Sequence, residues 1–491
     1  MKFQVHNDRV QVVSLVQWVS FGGGRLCAEA TARTGDQLEK AMTRENSLAK
    51  ARWDRLDANA EFEGNSGGRE KRSMKSATRR LLLTASAALA LAVVGGNAPA
   101  SAATFIQCPG DGVSSFPRDA VPDVAPVDDI QCVHLTGGDG FARMGDGKEL
   151  YLFGYADVTG MPEPDVQDVG VFAATYPSPT ITTREGQELY LTLTNVGTVN
   201  RPDLFDPHTV HNHGFPNIAS IMDGVPEVSV GINQGASLTY YYNNVHPGTY
   251  IYHCHVEATE HMQMGMLGIL NVEPAQNLDG YDGDLGTISQ KGGNGSGPLG
   301  YVYNDGDGST AFDVEMSLQL SAFHGEFHEA SFNTQPLPFA AMIDDYPMIN
   351  GRGYPDTVVP GDLLPPPADS TASPSPQFLT SALTADVGQR ILLRITNVSV
   401  VHDYSFGALG LPMQVIGRGA RMLRGTGQSV GENIFEETNL VTIAGGEAVD
   451  VLIDTSSVEA GTYFLYTTNL NYLSNNEEDF GGMMTEIVLN P

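Results

Sequence analysis

Along this chain of 491 residues the apolar positions recur mostly in twos. Runs such as "ELYLTLTNV" (188–196) and "EAVDVLIDT" (447–455) alternate, or carry β-branched residues, between turn signals. That is the spacing of a strand whose two faces meet different surroundings. Sustained helical periods are rare, while 55 glycines and 28 prolines punctuate the pattern. The expectation is an all-β protein built as sandwich or barrel.

The pattern also repeats. "EGQELYLTLTNV" (185–196) matches "VGQRILLRITNV" (387–398), and "PGTYIYHCH" (247–255) matches "AGTYFLYTT" (460–468), in the same order. Two copies of one β domain follow, over 140–275 and 312–491. A Gly/Asp-rich linker is expected over 276–311 and a low-complexity loop over 363–377. Residues 103–139 form a separate N-terminal segment. Its Cys108 and Cys132 bracket a Pro/Asp-rich stretch and pair as a disulfide if the chain is exported; otherwise they are two free thiols.

Export is itself an expectation. Residues 1–73 show no sustained apolar period and read as a non-structural extension or a mis-called start. From Met74, "MKSATRRLLLTASAALALAVVGGNAPASA" has the basic start, apolar run and small-residue cut of a signal peptide, ending near 102. The Arg79–Arg80 pair admits a Sec or a twin-arginine route. Residues 1–102 hold 15 of the 27 basic and 10 of the 58 acidic side chains, so the remainder carries 12 against 48, a net of −36. Such a surface argues against nucleic acid or an anionic membrane as partner. It favours cationic donors, or simply keeps an exported protein soluble.

The chemistry concentrates at 208–266. Neighbouring strand residues point to opposite faces, so in "YHCH" (252–255) His253 and His255 share a face and Cys254 takes the other. In "HTVHNHG" (208–214) His211 and His213 share a face and His208 is offset. Two sites result. One gathers His208, Cys254, His261 and Met266: two imidazoles, a thiolate and a thioether, the ligand set of a blue-copper electron-transfer site. Zinc is the alternative for any His/Cys cluster, but an axial thioether suits it poorly. The other site gathers His211, His213, His253 and His255, four imidazoles suited to Cu, Zn, Fe or Ni. The backbone at Cys254 joins the two.

"HTVHNHG" followed by "YHCH…H…GM" resembles the multicopper oxidases, as do "MINGRGYPDT" (348–357) and "NVEP" (271–274); the resemblance spans about 140–491. It implies two cupredoxin-like Greek-key β-sandwich or barrel domains, with blue copper in the first and most ligands missing from the second. His208, Cys254, His261 and Met266 would be type 1 copper ligands, and His211, His213, His253 and His255 would belong to the type 2/type 3 centre. The two-domain branch implies a homotrimer whose coupled cluster lies between one subunit's first domain and a neighbour's second. The implied activity is a copper-dependent oxidase, taking electrons from a phenolic or metal-ion donor and reducing O2. The chain departs from the pattern in a longer Cys254–His261 spacing and in two His-x-His pairs where an eight-histidine cluster has four. Two-domain copper nitrite reductases are also similar, although His211 stands where they place an aspartate and His255 is extra. A non-enzymatic blue-copper carrier or copper-storage protein is the third reading.

Other residues have weaker roles. His402, just after the repeated strand, would complete the histidine site of a neighbouring subunit, or is a loop histidine. Asp223 and Glu227 would orient ligands or relay protons, since oxygen and nitrite reduction both consume them. Glu257 and Glu260 flank the motif. His324 and His328 are spaced for one helical face, as a metal pair or as exposed helix residues. "NDGDGS" (304–309) reads as a turn before a Ca²⁺ loop.

Overall fold

The computed structural model describes residues 108, 130–215, 219–278, 298–363, 376–426 and 431–491, and the backbone of 3–6 and 9–12. The signal segment expected over 74–102 lies outside these, as does most of 278–300 and 363–377. The chain divides into two units, Met1–Ala98 and Pro99–Pro491. In the first, Phe3–His6 pairs antiparallel with Arg9–Val12, although the sequence shows no period there.

The second unit holds both β domains. In the first domain the strands are β1 (Ile130–Arg143), β2 (Glu149–Asp157), β3 (Ile181–Arg184), β4 (Glu188–Gly197), β5 (His211–Asn212), β6 (Ser237–Asn243), β7 (Gly248–His253) and, after helix α1 (Ala258–Met264), β8 (Leu267–Glu273). They make two sheets, β2-β1-β4-β6 and β3-β8-β7-β5. The second domain has β9 (Val314–Phe323), helix α2 (Gly325–Phe332), β10 (Tyr346–Ile349), β11 (Leu383–Asp386), β12 (Arg390–Asn397), β13 (Tyr404–Ala408), β14 (Met413–Arg418), β15 (Leu440–Ile443), β16 (Glu447–Asp454), β17 (Gly461–Thr467) and β18 (Met484–Asn490). Its sheets run β10-β9-β12-β16-β14, with short strands beyond β14, and β11-β18-β17-β13-β15. The duplication reaches strand direction: β1 and β4 are parallel, as are β9 and β12, and β3 and β8 are parallel, as are β11 and β18.

The expected boundaries shift. β1 starts at Ile130 and passes through position 139, so the end of the segment set at 103–139 is already the first domain's sheet. "LTGGDGFAR" looks like a loop because of its glycines, but they serve close packing: a Cβ on Gly137 would stand 3.1 Å from the His208 ring. Likewise Gly300–Tyr301, inside the expected linker, pairs with Ala311–Phe312 at its end, and Val302 and Tyr303 pack with Leu392 and Leu452. Cys108 and Cys132 are joined by a disulfide, their Cα atoms 6.0 Å apart.

Each domain has its own core: Leu189, Leu191, Leu193 and Tyr252 in the first, Leu318, Leu320, Ile391 and Val451 in the second. A third cluster joins them, setting Leu150, Leu152, Ile251 and Leu267 against Phe323, Tyr346 and Met348. No helix among the described residues is long and apolar enough to cross a membrane.

Candidate metal centre

β7 is buried along its whole length because it has a domain on each side. Its even residues face the first domain's core, where Tyr250 and Tyr252 pack and Cys254 follows just past the strand end. Its odd residues face the second domain: Thr249 donates a hydrogen bond to Asp450 (2.6 Å) and Ile251 joins the interdomain cluster. His253 is next on that face. One pleat therefore sends the thiol and its neighbouring imidazole to different places.

The thiol meets His208 and His261, with one ligand atom from each residue within 4.8 Å of the others. His261 Nδ1 lies 3.1 Å from Sγ. α1 accommodates the long Cys254–His261 spacing, because the extra residues form helix. Gly265 ends the helix in a left-handed conformation (φ 118°), and a Cβ there would be 2.8 Å from the Phe153 carbonyl. The next residue, Met266, is fully buried, and its methyl and the His208 ring both wall Gly137. Its carbonyl accepts from Cys254 N–H (3.1 Å), and the Thr209 N–H points at Sγ (3.4 Å).

Burial alone would raise the Cys254 pKa, yet His261 and His208 hold it well below the ordinary thiol value. Burial would lower that of His261, but the thiolate and then Asp206 raise it to about 10. His208 Nδ1 is buried without a hydrogen-bond partner. A buried thiolate, an unpartnered imidazole nitrogen and a thioether are a soft donor set that fits copper.

The second group is His211, His213 and His253, again with ligand atoms within 4.8 Å. Each Nδ1 faces a backbone carbonyl: Asp223 O for His211 (2.6 Å), Gly446 O for His213 (3.1 Å) and Cys254 O for His253 (2.7 Å). A carbonyl only accepts, so each Nδ1 carries the hydrogen and each Nε2 presents a lone pair. The Nε2 atoms of His213 and His253 are 2.9 Å apart, so the two lone pairs need a cation between them. A proton is disfavoured, since burial and then His213 push the His253 pKa down to about 3. A metal ion fits. His255 sits at the margin, its ring centroid 5.1 Å from His211, outside the converging three.

The remaining candidates separate. Asp223 adjoins the site through its carbonyl, with Oδ1 3.4 Å from His211 Nδ1. Glu227 is exposed. Glu257 takes the left-handed turn before α1 and is exposed; Glu260 is buried, which raises its pKa. His324 and His328 are on α2 or at its cap, but both are buried, contrary to the exposed reading. His328 donates to Tyr151 O (2.6 Å), and among the described residues neither belongs to a three-ligand group. His402 is 44% exposed and bonds Asp344 through Nδ1 (2.9 Å). At 304–309 Asp305 is spent on its own turn, accepting from Gly308 N, Thr310 N and Thr310 Oγ1.

Two neighbours of the sites escaped sequence reasoning. Asp206 stands 3.9 Å behind His261 Nε2, and His261 holds its carboxyl below the ordinary range. The signal, "DPH", was adjacent to His208. Gly446 had no signal, because it lies 233 residues from His213.

Two family models, each described as multicopper oxidase, match residues 156–277 and 324–490. No curated protein matches the chain. Among solved structures, a blue copper oxidase from Nitrosomonas europaea is similar at 20% identity and a TM-score of 0.51, over 73% of this chain and 86% of that one. A multicopper oxidase titled mgLAC is similar at 18% identity and a TM-score of 0.50, over 74% and 86%. Both likenesses are of fold. The two family matches cover more than half the chain, each on one of its β domains, so the chain belongs to the multicopper oxidases and is a copper-dependent oxidoreductase.

Proposed function

We propose that this is an exported oxidase that takes electrons one at a time from a phenolic or metal-ion donor and delivers them to O2. Bound copper would supply the one-electron exchange at the thiolate site and the reduction of O2 at the histidines. His208, Cys254, His261 and Met266 would hold the first ion, and His211, His213, His253 and His255 would take part in holding the second. The observation that carries the reading is the split at β7, which puts Cys254 and His253 in separate ligand groups one residue apart. The His253 Nδ1–H···O=C bond to Cys254 adds a second link beside the covalent one.

The donor side is the edge at Asp206, which with Leu204, Gln234 and His208 walls a small cavity. Its carboxylate would face a donor hydroxyl or cation. On the histidine side Asp223 orients His211 through its carbonyl and keeps a carboxylate 3.4 Å from the ring that is 34% exposed to solvent, which suits proton delivery. Glu227 would serve only as an outer proton acceptor.

Assembly into a homotrimer would complete the histidine site. His402 supports this: buried Asp344 fixes its Nδ1 and leaves Nε2 for a ligand. Exposed Ile343 precedes Asp344, and exposed Leu470 lies two residues from Tyr472, whose ring packs on His402; exposed Ile221 lies two residues from Asp223, and exposed Val228 and Val230 flank Ser229, which bonds Gly224 and Ile221. Two such patches, each beside part of a ligand set, suit a head-to-tail ring.

Oxygen consumption by the purified chain, followed with phenolic and metal-ion donors, tests the reading. Uptake that depends on the donor supports it. Nitrite turnover without oxygen uptake would mean a nitrite reductase instead, and a coloured protein inert to both would be a carrier.

A further inference from the structure

Three carbonyls orient the converging histidines. Two come from the first domain itself, Asp223 and Cys254; the third comes from the second domain, Gly446. We infer that the turn at 444–447 is a positioning device for His213, and that this is a job the second domain keeps although its own copy of the motif has no ligands. The inference rests on the reading that the histidines hold copper.

The turn is braced on every side. Gly446 N–H donates to Asn397 O (2.8 Å), Gly445 N–H to Asp403 Oδ1 (3.3 Å), and Ala444 N–H to Glu447 Oε2 (2.9 Å). Asn397 in turn holds the loop bearing His402 by donating to its carbonyl (3.2 Å). A carbonyl fixed this way sets both the tautomer and the tilt of the ring it accepts from. The fit is close. Gly446 has φ 85°, and a Cβ there would be 3.0 Å from His213 Cε1 and 3.1 Å from Nδ1. A cavity of about 200 Å³ lies beside the ring, lined by His213, Thr249, Arg418 and Glu447 among others. A crowded His213 therefore has room to swing away from His253, so a side chain at 446 displaces the ligand rather than preventing folding.

The test compares Gly446→Ala with Gly388→Ala. Gly388 also has a left-handed backbone (φ 95°) in the second domain, but a Cβ there meets nothing within 4 Å. Both variants suffer the backbone strain and only one touches a histidine. Cu(II) is titrated into each full-length protein and read by electron paramagnetic resonance. Gly446→Ala should weaken copper binding at the histidines about tenfold or more and alter its hyperfine pattern, while the thiolate-to-copper absorption band stays unchanged. Gly388→Ala should bind as the wild type does. Equal binding in the two variants, whether both intact or both weakened, overturns the proposal. A wild-type chain that fills the thiolate site but takes no copper at the histidines overturns this proposal together with the reading beneath it. Nitrogen NMR of the diamagnetic Cu(I) form of the wild type gives an independent result. His213 should carry its proton on Nδ1, and a proton on Nε2 contradicts the role of Gly446.

Discussion

At the scale of single residues, Cys254 decides the most. Cys254→Ser removes the thiolate while keeping a similar volume in a fully buried position. The visible charge-transfer band and donor oxidation should vanish with little change in unfolding midpoint; turnover that survives would disprove electron entry at the sulfur. Two other buried residues set a pH dependence. Burial lowers the pKa of His134 and of His328 to about 4, against 6.5 when unfolded. The unfolded chain therefore binds protons first, and the stability these neutral rings contribute above pH 6.5 is lost as pH falls from there toward 4. Each contributes a slope of up to about 1.4 kcal/mol per pH unit. Denaturant midpoints between pH 5 and 6.5 should show His328→Gln flattening that slope relative to wild type; an unchanged slope would mean His328 is protonated in the fold. The alternation around Cys254 was legible because it is local. Gly446 was not, because it acquires its role only when the other domain folds against a ligand; Asp206 stands two residues from His208, but its partner His261 lies 55 residues on.

At the scale of elements, strand β7 leads into both ligand groups and lines the interdomain seam. Its period of two was readable, and so was its partner in the repeat. That both its faces are buried was not, since that depends on the second domain packing over it. The polar part of that seam is a buried network: Arg394 pairs with Glu315 (2.5 Å) and Asp450 (3.6 Å) and donates to Thr249 (3.2 Å), while Tyr303 donates to Asp450 (2.5 Å). Arg394→Met would leave the buried Asp450 carboxylate without its cation, held only by the Thr249 and Tyr303 hydroxyls. Removing one partner of such a group costs about 3–5 kcal/mol. Chemical denaturation should register that loss, and a variant as stable as wild type would show the network is not a clamp. Helix α1 escaped the sequence pattern because a segment of seven residues is too short to show a period. Its role, carrying His261 back to Cys254, explains how an unusual spacing still closes the ligand set.

At the scale of the whole molecule, two copies of one domain divide the labour. The first holds the ligand groups; the second covers β7 and reaches His213. The repeat and the all-β class were plain in the sequence, whereas the domain boundaries were not, because glycine-rich β1 imitates a loop. If a neighbouring copy's His402 completes the histidine site, sedimentation should give a trimer. His402→Ala should then keep the blue band and lower copper at the histidines by about tenfold or more; a monomer with full copper would remove His402 from the site. The pleat at β7 would separate two linked copper sites. Copper per chain in the purified protein, resolved by electron paramagnetic resonance into thiolate-bound and imidazole-bound signals, decides this. Both signals are expected, with at least two ions per chain; a single ion, or zinc in place of the thiolate-bound copper, would rule out paired copper sites at β7.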